Sequence, residues 1–185
     1  MNTYCYLWQS ELSNEQCEDI KFLYIDGKPK EAEIGNVANI DKTVRSSNVL
    51  PCPYDSENGV YLNKVIHHYI TMANRECFGI QLNSFQEFQV AKYKKGDFYD
   101  YHMDSNIYEN ASQRKLSVTV QLSDSSDYEG GDFEFSKDIG KIDQKKLREK
   151  GTILVFPSFL YHRVTKVTKG ERFSLVGWYE GNDWI

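Results

Sequence analysis

Three residues in this sequence have the types and spacing of an open metal site. His102 and Asp104 lie two positions apart, so on an extended strand both side chains project from one face and reach a single ion. His162 follows the run Phe156-Pro157-Ser158-Phe159-Leu160-Tyr161, which reads as a strand end and a turn. Two imidazoles and one carboxylate leave further coordination positions open. That suits Fe(II) chemistry with oxygen better than a closed structural zinc site. Arg172 opens an alternating strand that carries Ser174, Val176 and Trp178 on its own face. A guanidinium turned into a β-barrel is costly to desolvate unless an anion meets it. With a hydroxyl beside it, it makes a seat for a carboxylate. The other two histidines, His67 and His68, are adjacent on a predicted helix and point about 100° apart, which keeps them from sharing a ligand.

The elements that must position these groups show in the periodicity. Leu116, Val118, Val120 and Leu122 alternate with Ser117, Thr119 and Gln121, the pattern of a strand with two different faces. Gly130-Gly131 punctuates before Asp132-Phe133-Glu134-Phe135-Ser136, Gly151 to Pro157 reads as a strand ended by proline, and Arg172 to Tyr179 as a last one. Short strands between turn signals predict a β-sandwich or open barrel with helices packed outside. The first half is mixed. Ser13-Asn14-Glu15-Gln16 has the form of a capping box ahead of a short amphipathic helix through Cys17, Ile20, Lys21 and Tyr24. Leu62, Val65, Ile66, Tyr69 and Ala73 have the spacing of a second helix with one buried face. Residues 26–58, rich in Gly, Pro, Asn and Asp, read as loops with one strand. Asp97, Asp100 and Asp124 read as turn residues. The charged stretch Lys141–Lys150 reads as a solvated loop or helical turn.

Several ordered pieces carry a family likeness. They are Tyr93-Lys94-Lys95-Gly96 leading to Tyr101-His102-Met103-Asp104; Arg114-Lys115-Leu116-Ser117; and Asp127-Tyr128-Glu129-Gly130-Gly131-Asp132-Phe133. Gly151-Thr152 then leads to Phe156-Pro157-Ser158 and His162-Arg163-Val164, followed by Val167-Thr168-Lys169-Gly170-Glu171-Arg172-Phe173-Ser174. Over roughly residues 85–180 the chain resembles an iron(II)- and 2-oxoglutarate-dependent oxygenase of the prolyl 4-hydroxylase-like branch, which includes the bacterial PKHD-type hydroxylases. The resemblance implies a double-stranded β-helix (jelly roll), mainly β with flanking helices. It implies one domain over 1–185, with 1–84 a helical and loop-rich support and 85–180 the core. By the same resemblance His102, Asp104 and His162 hold Fe(II), and Arg172 binds the distal carboxylate of 2-oxoglutarate with Ser174 and Tyr93 in support. Thr119 and Gln121 line that pocket, although some relatives carry tyrosine at the latter position. Arg45, Tyr99 and Trp178 fall on the substrate side.

The implied reaction consumes O2, decarboxylates 2-oxoglutarate to succinate and CO2, and hydroxylates an unactivated C–H bond. Ascorbate enters only as an optional reductant. The branch points to a protein or peptide substrate, prolyl first; a free amino acid or other small molecule is the alternative. A non-catalytic sensor of metal and 2-oxoglutarate is the rival of another class. The intact Asp104 argues against halogenase chemistry in this family.

Composition narrows the rest. At 185 residues with 40% hydrophobic, 26% charged and 14% aromatic residues, the chain has ample material for a packed core and is not a disordered or fibrous sequence. A net charge of −5 argues against nucleic acid as a partner. No apolar run approaches the roughly 20 residues of a membrane-spanning helix. The N-terminus lacks a signal-peptide pattern. Cys5, Cys17, Cys52 and Cys77 are scattered without a Cys-x-x-Cys pair, as expected of reduced thiols in a cytoplasmic protein. In that setting the Asn110-Ala111-Ser112 sequon reads as chance.

Overall fold

The computed structural model describes residues 4–32, 41–105 and 113–182. The sequon at Asn110 lies outside them. A short strand β1 (Tyr6–Trp8) leads to helix α1 (Asn14–Asp26). The capping box forms as expected: the Ser13 hydroxyl accepts from the Gln16 N–H at 3.2 Å, and the Gln16 side chain accepts from the Ser13 N–H at 2.9 Å. Cys17, Ile20 and Tyr24 form the buried stripe of this helix. Strands β2 (Lys30–Glu31), β3 (Arg45–Ser46) and β4 (Asn48–Pro53) follow, and then helix α2 (Glu57–Ala73). Helix α2 begins on a Ser56 side-chain cap and buries Leu62, Ile66, Ile70 and Ala73, while His67 and His68 are exposed. A π-helical turn, Asn74–Phe78, closes the helical part.

Three strands therefore occupy the stretch read as loop with a single strand. The two prolines of β4 hid it. Its partner β2 pairs only with Asn48 and Val49, so Pro51 and Pro53 fall beyond that pairing, where a missing N–H costs no ladder bond.

The second half is almost wholly β: β5 (Leu82–Lys94), β6 (Phe98–His102), β7 (Arg114–Gln121), β8 (Tyr128–Gly130), β9 (Phe133–Phe135), β10 (Ile153–Pro157), β11 (His162–Val164) and β12 (Val167–Gly181), with a short helix α3 (Gln144–Leu147) before β10. They form two antiparallel sheets. The larger runs β1-β10-β7-β12-β5-β4-β2, with β8 added to the start of β12; the smaller runs β3-β6-β11-β9. The alternation in β7 separates two environments. Leu116, Val118, Val120 and Leu122 join Phe88, Val90, Ile153, Val155 and Leu175 against α1 and α2. Each such fully buried side chain contributes about 1.5–3 kcal/mol of apolar transfer. The other face of the large sheet meets the small one: Phe156 touches Phe133 and Phe135, and Tyr93 packs with Val164. The architecture is a double-stranded β-helix with helices outside one sheet. Among the described residues no helix is long and apolar enough to cross a membrane.

Candidate active site

The inner face of the large sheet is layered by strand register. Gln121, Ser174 and Ala91 share one layer, Thr119, Val176 and Gln89 the next, and Ser117, Trp178 and Glu87 a third. Arg172 lies opposite Tyr93 one layer beyond Ser174. The sequence pattern therefore sends Ser117, Thr119, Gln121, Arg172, Ser174 and Trp178 inward, and all six are buried.

His102 and His162 face each other across β6 and β11, as direct register partners. Asp104 joins them from beyond the strand. β6 ends at His102, so the pair does not share a regular strand as its spacing suggests. Instead the Asp104 N–H donates to the Ser158 carbonyl at 2.9 Å, folding the carboxylate back toward the imidazoles. One ligand atom from each of the three lies within 4.8 Å of the others. His102 Nε2 is 3.5 Å from Asp104 Oδ1, and His162 Nε2 is 3.7 Å from Oδ2. Both Nδ1 atoms are committed in the same way: that of His102 to the Asp100 carbonyl and that of His162 to the Leu160 carbonyl, each at 2.8 Å. With Nδ1–H donating outward, both Nε2 lone pairs face the carboxylate, the tautomer a metal ligand needs.

The electrostatics agree with a ligand set. Burial alone would raise the Asp104 carboxyl. In the acid range, where the imidazoles carry charge, His162 by its charge, His102 by a hydrogen bond and its charge, and the Ser117 hydroxyl together hold it well below the usual carboxylate range. The Ser117 hydroxyl donates to Asp104 Oδ2 at 2.6 Å and pairs with the Ser158 hydroxyl at 2.9 Å. Burial, with His102 beside it, pushes the His162 imidazole down to about 4, so it is neutral at neutral pH. Among the described residues no fourth donor completes the cluster. Two imidazoles and one carboxylate with open positions fit a catalytic divalent metal and not a closed structural one.

A β-bulge decides what surrounds His102. β11 passes from His162 to Val164 in two steps, while its partner β6 passes from His102 to Tyr99 in three. Strict alternation would send Tyr99 and His102 to opposite faces. The extra residue brings them to one, and their rings stack at 3.5 Å with planes 11° apart. Asp100 thus lies within a strand at this bulge and is not the turn residue it resembles. Asp97 and Asp124 do sit in turns: Asp97 accepts from the Lys94 N–H and the Ser46 hydroxyl, and the Asp124 carbonyl accepts from the Asp127 N–H. Arg45, expected in a loop, lies on β3, is 7% exposed, and sets its guanidinium 4.5 Å from the Tyr99 ring. On the other side Phe133 and Phe156 pack against His162.

Arg172 is 4% exposed, and among the described residues no carboxylate lies within ion-pair reach of it. Its Nη1 donates to Ser174 Oγ at 3.4 Å, and its guanidinium is 5.7 Å from the Tyr93 ring. The Tyr93 hydroxyl has no hydrogen-bond partner among the described residues. A buried cation this short of counter-charge fits an anionic ligand, and the guanidinium with the Ser174 and Tyr93 hydroxyls fits a carboxylate. At the far end of the sheet Arg114 lies 3.8 Å over Trp178, donates to Gln86 at 2.5 Å and reaches toward Glu87 at 3.8 Å.

Sequence reasoning missed four contributors: Ser117, Ser158, Arg114 and Arg148. Ser117 shares the face of Thr119 and Gln121, so its parity was the available signal. Arg114 has the opposite parity, and a second irregularity, where β12 steps from Tyr179 to Glu180 against Leu116 to Arg114, carries it to the site face. Arg148 falls in the stretch read as solvated. It donates to the Gly130 and Tyr128 carbonyls and to Asp132, with its guanidinium 4.1 Å from the Tyr128 ring. Lys150, in the same stretch, bridges Glu18 and Asp124. Both cations are drawn out of solvent by long-range partners that a local charge run does not reveal.

Residues 88–180 match the sequence profile of the 2OG-Fe(II) oxygenase superfamily. The PKHD-type hydroxylase IL0759 of Idiomarina loihiensis is 35% identical over 91 residues, covering 49% of this chain and 40% of that protein. A PKHD-type hydroxylase of Synechococcus is 42% identical over 93 residues, covering 50% and 41%. The match thus spans about two fifths of these relatives' own length. Among solved structures, a Pseudomonas putida prolyl-4-hydroxylase superposes with a TM-score of 0.74 at 21% identity, over 96% of this chain and 92% of that one. A Trichoplax adhaerens prolyl hydroxylase, in complex with a hypoxia inducible factor peptide fragment, gives 0.76 at 18% identity over 96% and 84%. At these identities the structures establish the shared fold.

Proposed function

The chain belongs to the 2OG-Fe(II) oxygenase superfamily, and from that premise we propose that it is an Fe(II)- and 2-oxoglutarate-dependent dioxygenase that hydroxylates an unactivated C–H bond. The observation that carries this reading is the pairing of an open His102–Asp104–His162 ligand set with a buried, acid-free Arg172 in one interior. His102 Nε2, Asp104 and His162 Nε2 hold the metal. Arg172 and Ser174 take the distal carboxylate of 2-oxoglutarate, with Tyr93 beside them, while Thr119 lines the space between. When bound, iron and 2-oxoglutarate supply the oxidising chemistry, in which O2 is consumed and succinate and CO2 are released. The protein's part is orientation and exclusion of water. The two carbonyl-anchored imidazoles cannot turn, Ser117 holds the carboxylate, and the aromatic walls of Tyr99, Phe133 and Phe156 keep the ligands dry. No general acid–base pair is required, and no such pair is used.

The substrate is a protein or peptide residue, prolyl in the first instance. Trp178, under Arg114, and Tyr99, stacked on His102 with Arg45 over its ring, are two aromatic side chains close to the metal set. Aromatic edges of this kind suit the apolar side of a pyrrolidine ring, with cations near to meet backbone carbonyls. The names of the PKHD-type relatives and of the prolyl hydroxylase structures support the same direction. Four free cysteines suit a cytoplasmic setting.

The test is an anaerobic Fe(II) titration with 2-oxoglutarate, followed by the visible metal-to-ligand charge-transfer band, with His162→Ala and Arg172→Met alongside. Succinate release is then measured with proline-containing peptides and with free amino acids. We expect a band in the wild type, lost in His162→Ala and requiring far more 2-oxoglutarate in Arg172→Met. Peptide-stimulated succinate is expected to fall in Trp178→Ala with 2-oxoglutarate binding unchanged. No band from folded, iron-loaded protein refutes the oxygenase assignment. Stimulation by free amino acids alone refutes the peptide assignment.

A further inference from the structure

Gln121 sits across from Ser174 in the carboxylate pocket, yet its amide is committed elsewhere. Its Nε2 donates to the Ser123 carbonyl at 3.0 Å and to the Tyr128 hydroxyl at 2.9 Å. The carbonyl partner decides which end of the amide is nitrogen, so both amide protons are spent on protein oxygens. The Tyr128 oxygen therefore accepts, and its own proton has no acceptor among the described residues. This phenol is 3% exposed. Its ring and the Arg172 side chain both border Gly131: a side-chain carbon built there would be 3.5 Å from Tyr128 Cδ2 and 3.1 Å from Arg172 Cδ. The ring is clamped from behind by Arg148, through the stacking contact and through bonds to the carbonyls of Tyr128 and Gly130. A buried phenol whose lone pair is satisfied and whose proton is unspent, next to a buried cation lacking counter-charge, has the chemistry of an anion donor.

We propose that Tyr128 is a direct ligand of the distal carboxylate of 2-oxoglutarate, donating its O–H alongside Arg172, and that Gln121 and Arg148 are positioning residues for that phenol. The proposal rests on the 2-oxoglutarate reading above and reassigns Gln121 from pocket lining to support. It gives the loop of residues 125–132 a function. That segment sets Tyr128 opposite Gly170 at the start of β12, and the salt bridge of Arg148 with Asp132 at 2.6 Å ties it down.

The experiment compares wild type, Tyr128→Phe and Gln121→Leu by anaerobic titration of the Fe(II)-loaded proteins, read by the charge-transfer band and by ligand-induced change in melting temperature. Each is titrated with 2-oxoglutarate and, separately, with pyruvate, a 2-oxo acid that lacks the distal carboxylate. Loss of one hydrogen bond to a charged group should raise the dissociation constant for 2-oxoglutarate about 10- to 100-fold in Tyr128→Phe. A smaller rise is expected in Gln121→Leu, whose phenol is present but unheld. Pyruvate binding should be the same in all three. Equal weakening of both keto acids makes Tyr128 a structural residue, and unchanged 2-oxoglutarate binding removes it from the pocket; either overturns the proposal. If wild type itself binds no 2-oxoglutarate, it is the parent assignment that fails.

Discussion

The Ser117→Ala substitution isolates the contribution of a single hydroxyl to metal affinity. Ser117 Oγ donates to Asp104 Oδ2 at 2.6 Å, short enough for a charge-assisted bond, and Ser117 itself is 1% exposed, so water does not readily replace it. Bonds of this kind contribute about 1.5–3 kcal/mol, and removing an outer partner of a metal ligand costs about 10- to 100-fold in affinity. Metal affinity in Ser117→Ala is therefore expected to fall within that range, well short of the loss in Asp104→Ala. The substitution also removes one of the groups that depress the Asp104 carboxyl. The variant should then release metal at a higher pH than wild type as the solution is acidified. Anaerobic competition of Fe(II), or of redox-stable Mn(II), against a chelator of known affinity reads both effects, with Arg172→Met as a variant expected to hold metal as wild type does. A folded Ser117→Ala protein that binds metal within about twofold of wild type, with an unchanged pH profile, would refute the reasoning, because the carboxylate would then be oriented without the hydroxyl.

The metal-free protein should lose stability as pH falls from 6.5 toward about 4, because the unfolded chain takes up a proton that buried His162 refuses; the full effect is about 3 kcal/mol. Thermal melts across that window should show the decline, and His162→Gln should flatten it; equal slopes would mean that other groups dominate. Gly131→Ala forces a side chain into backbone with φ of +64° and to within 2.9 Å of Val167 and 3.1 Å of Arg172, so a loss of about 1–3 kcal/mol is expected. Its 2-oxoglutarate affinity should fall while Fe(II) affinity holds, and a calorimetric titration showing the reverse would separate the loop from the arginine.

The legible parts of this protein were those written in short-range pattern. The capping box at Ser13 and Gln16, the buried stripe of α2 and the two faces of β7 each rest on residues within a few positions of one another, and each formed as the spacing predicts. The site was legible to the same depth. His102, Asp104 and His162 could be named because their types and the strand and turn signals around them restrict what they can do. Arg172 could be named because an arginine at an inward parity needs an anion. The stretch 26–58 was less legible, since proline marks a strand edge as readily as a loop until the partner strand is known.

Tertiary structure decided the remainder. The bulge in β6 exists only in relation to β11, and it alone stacks Tyr99 on His102. Arg114 reaches Trp178 through a register slip that neither strand announces by itself. Arg45 is buried because β3 pairs with β6, and Arg148 because the glycine loop offers it carbonyls. The sequence by itself determined which residues can ligate, cap or alternate, since those properties depend on side-chain chemistry and on backbone period. Which groups meet was decided by strand register and by contacts far apart along the chain, because a one-residue offset in pairing reverses the face of every side chain beyond it.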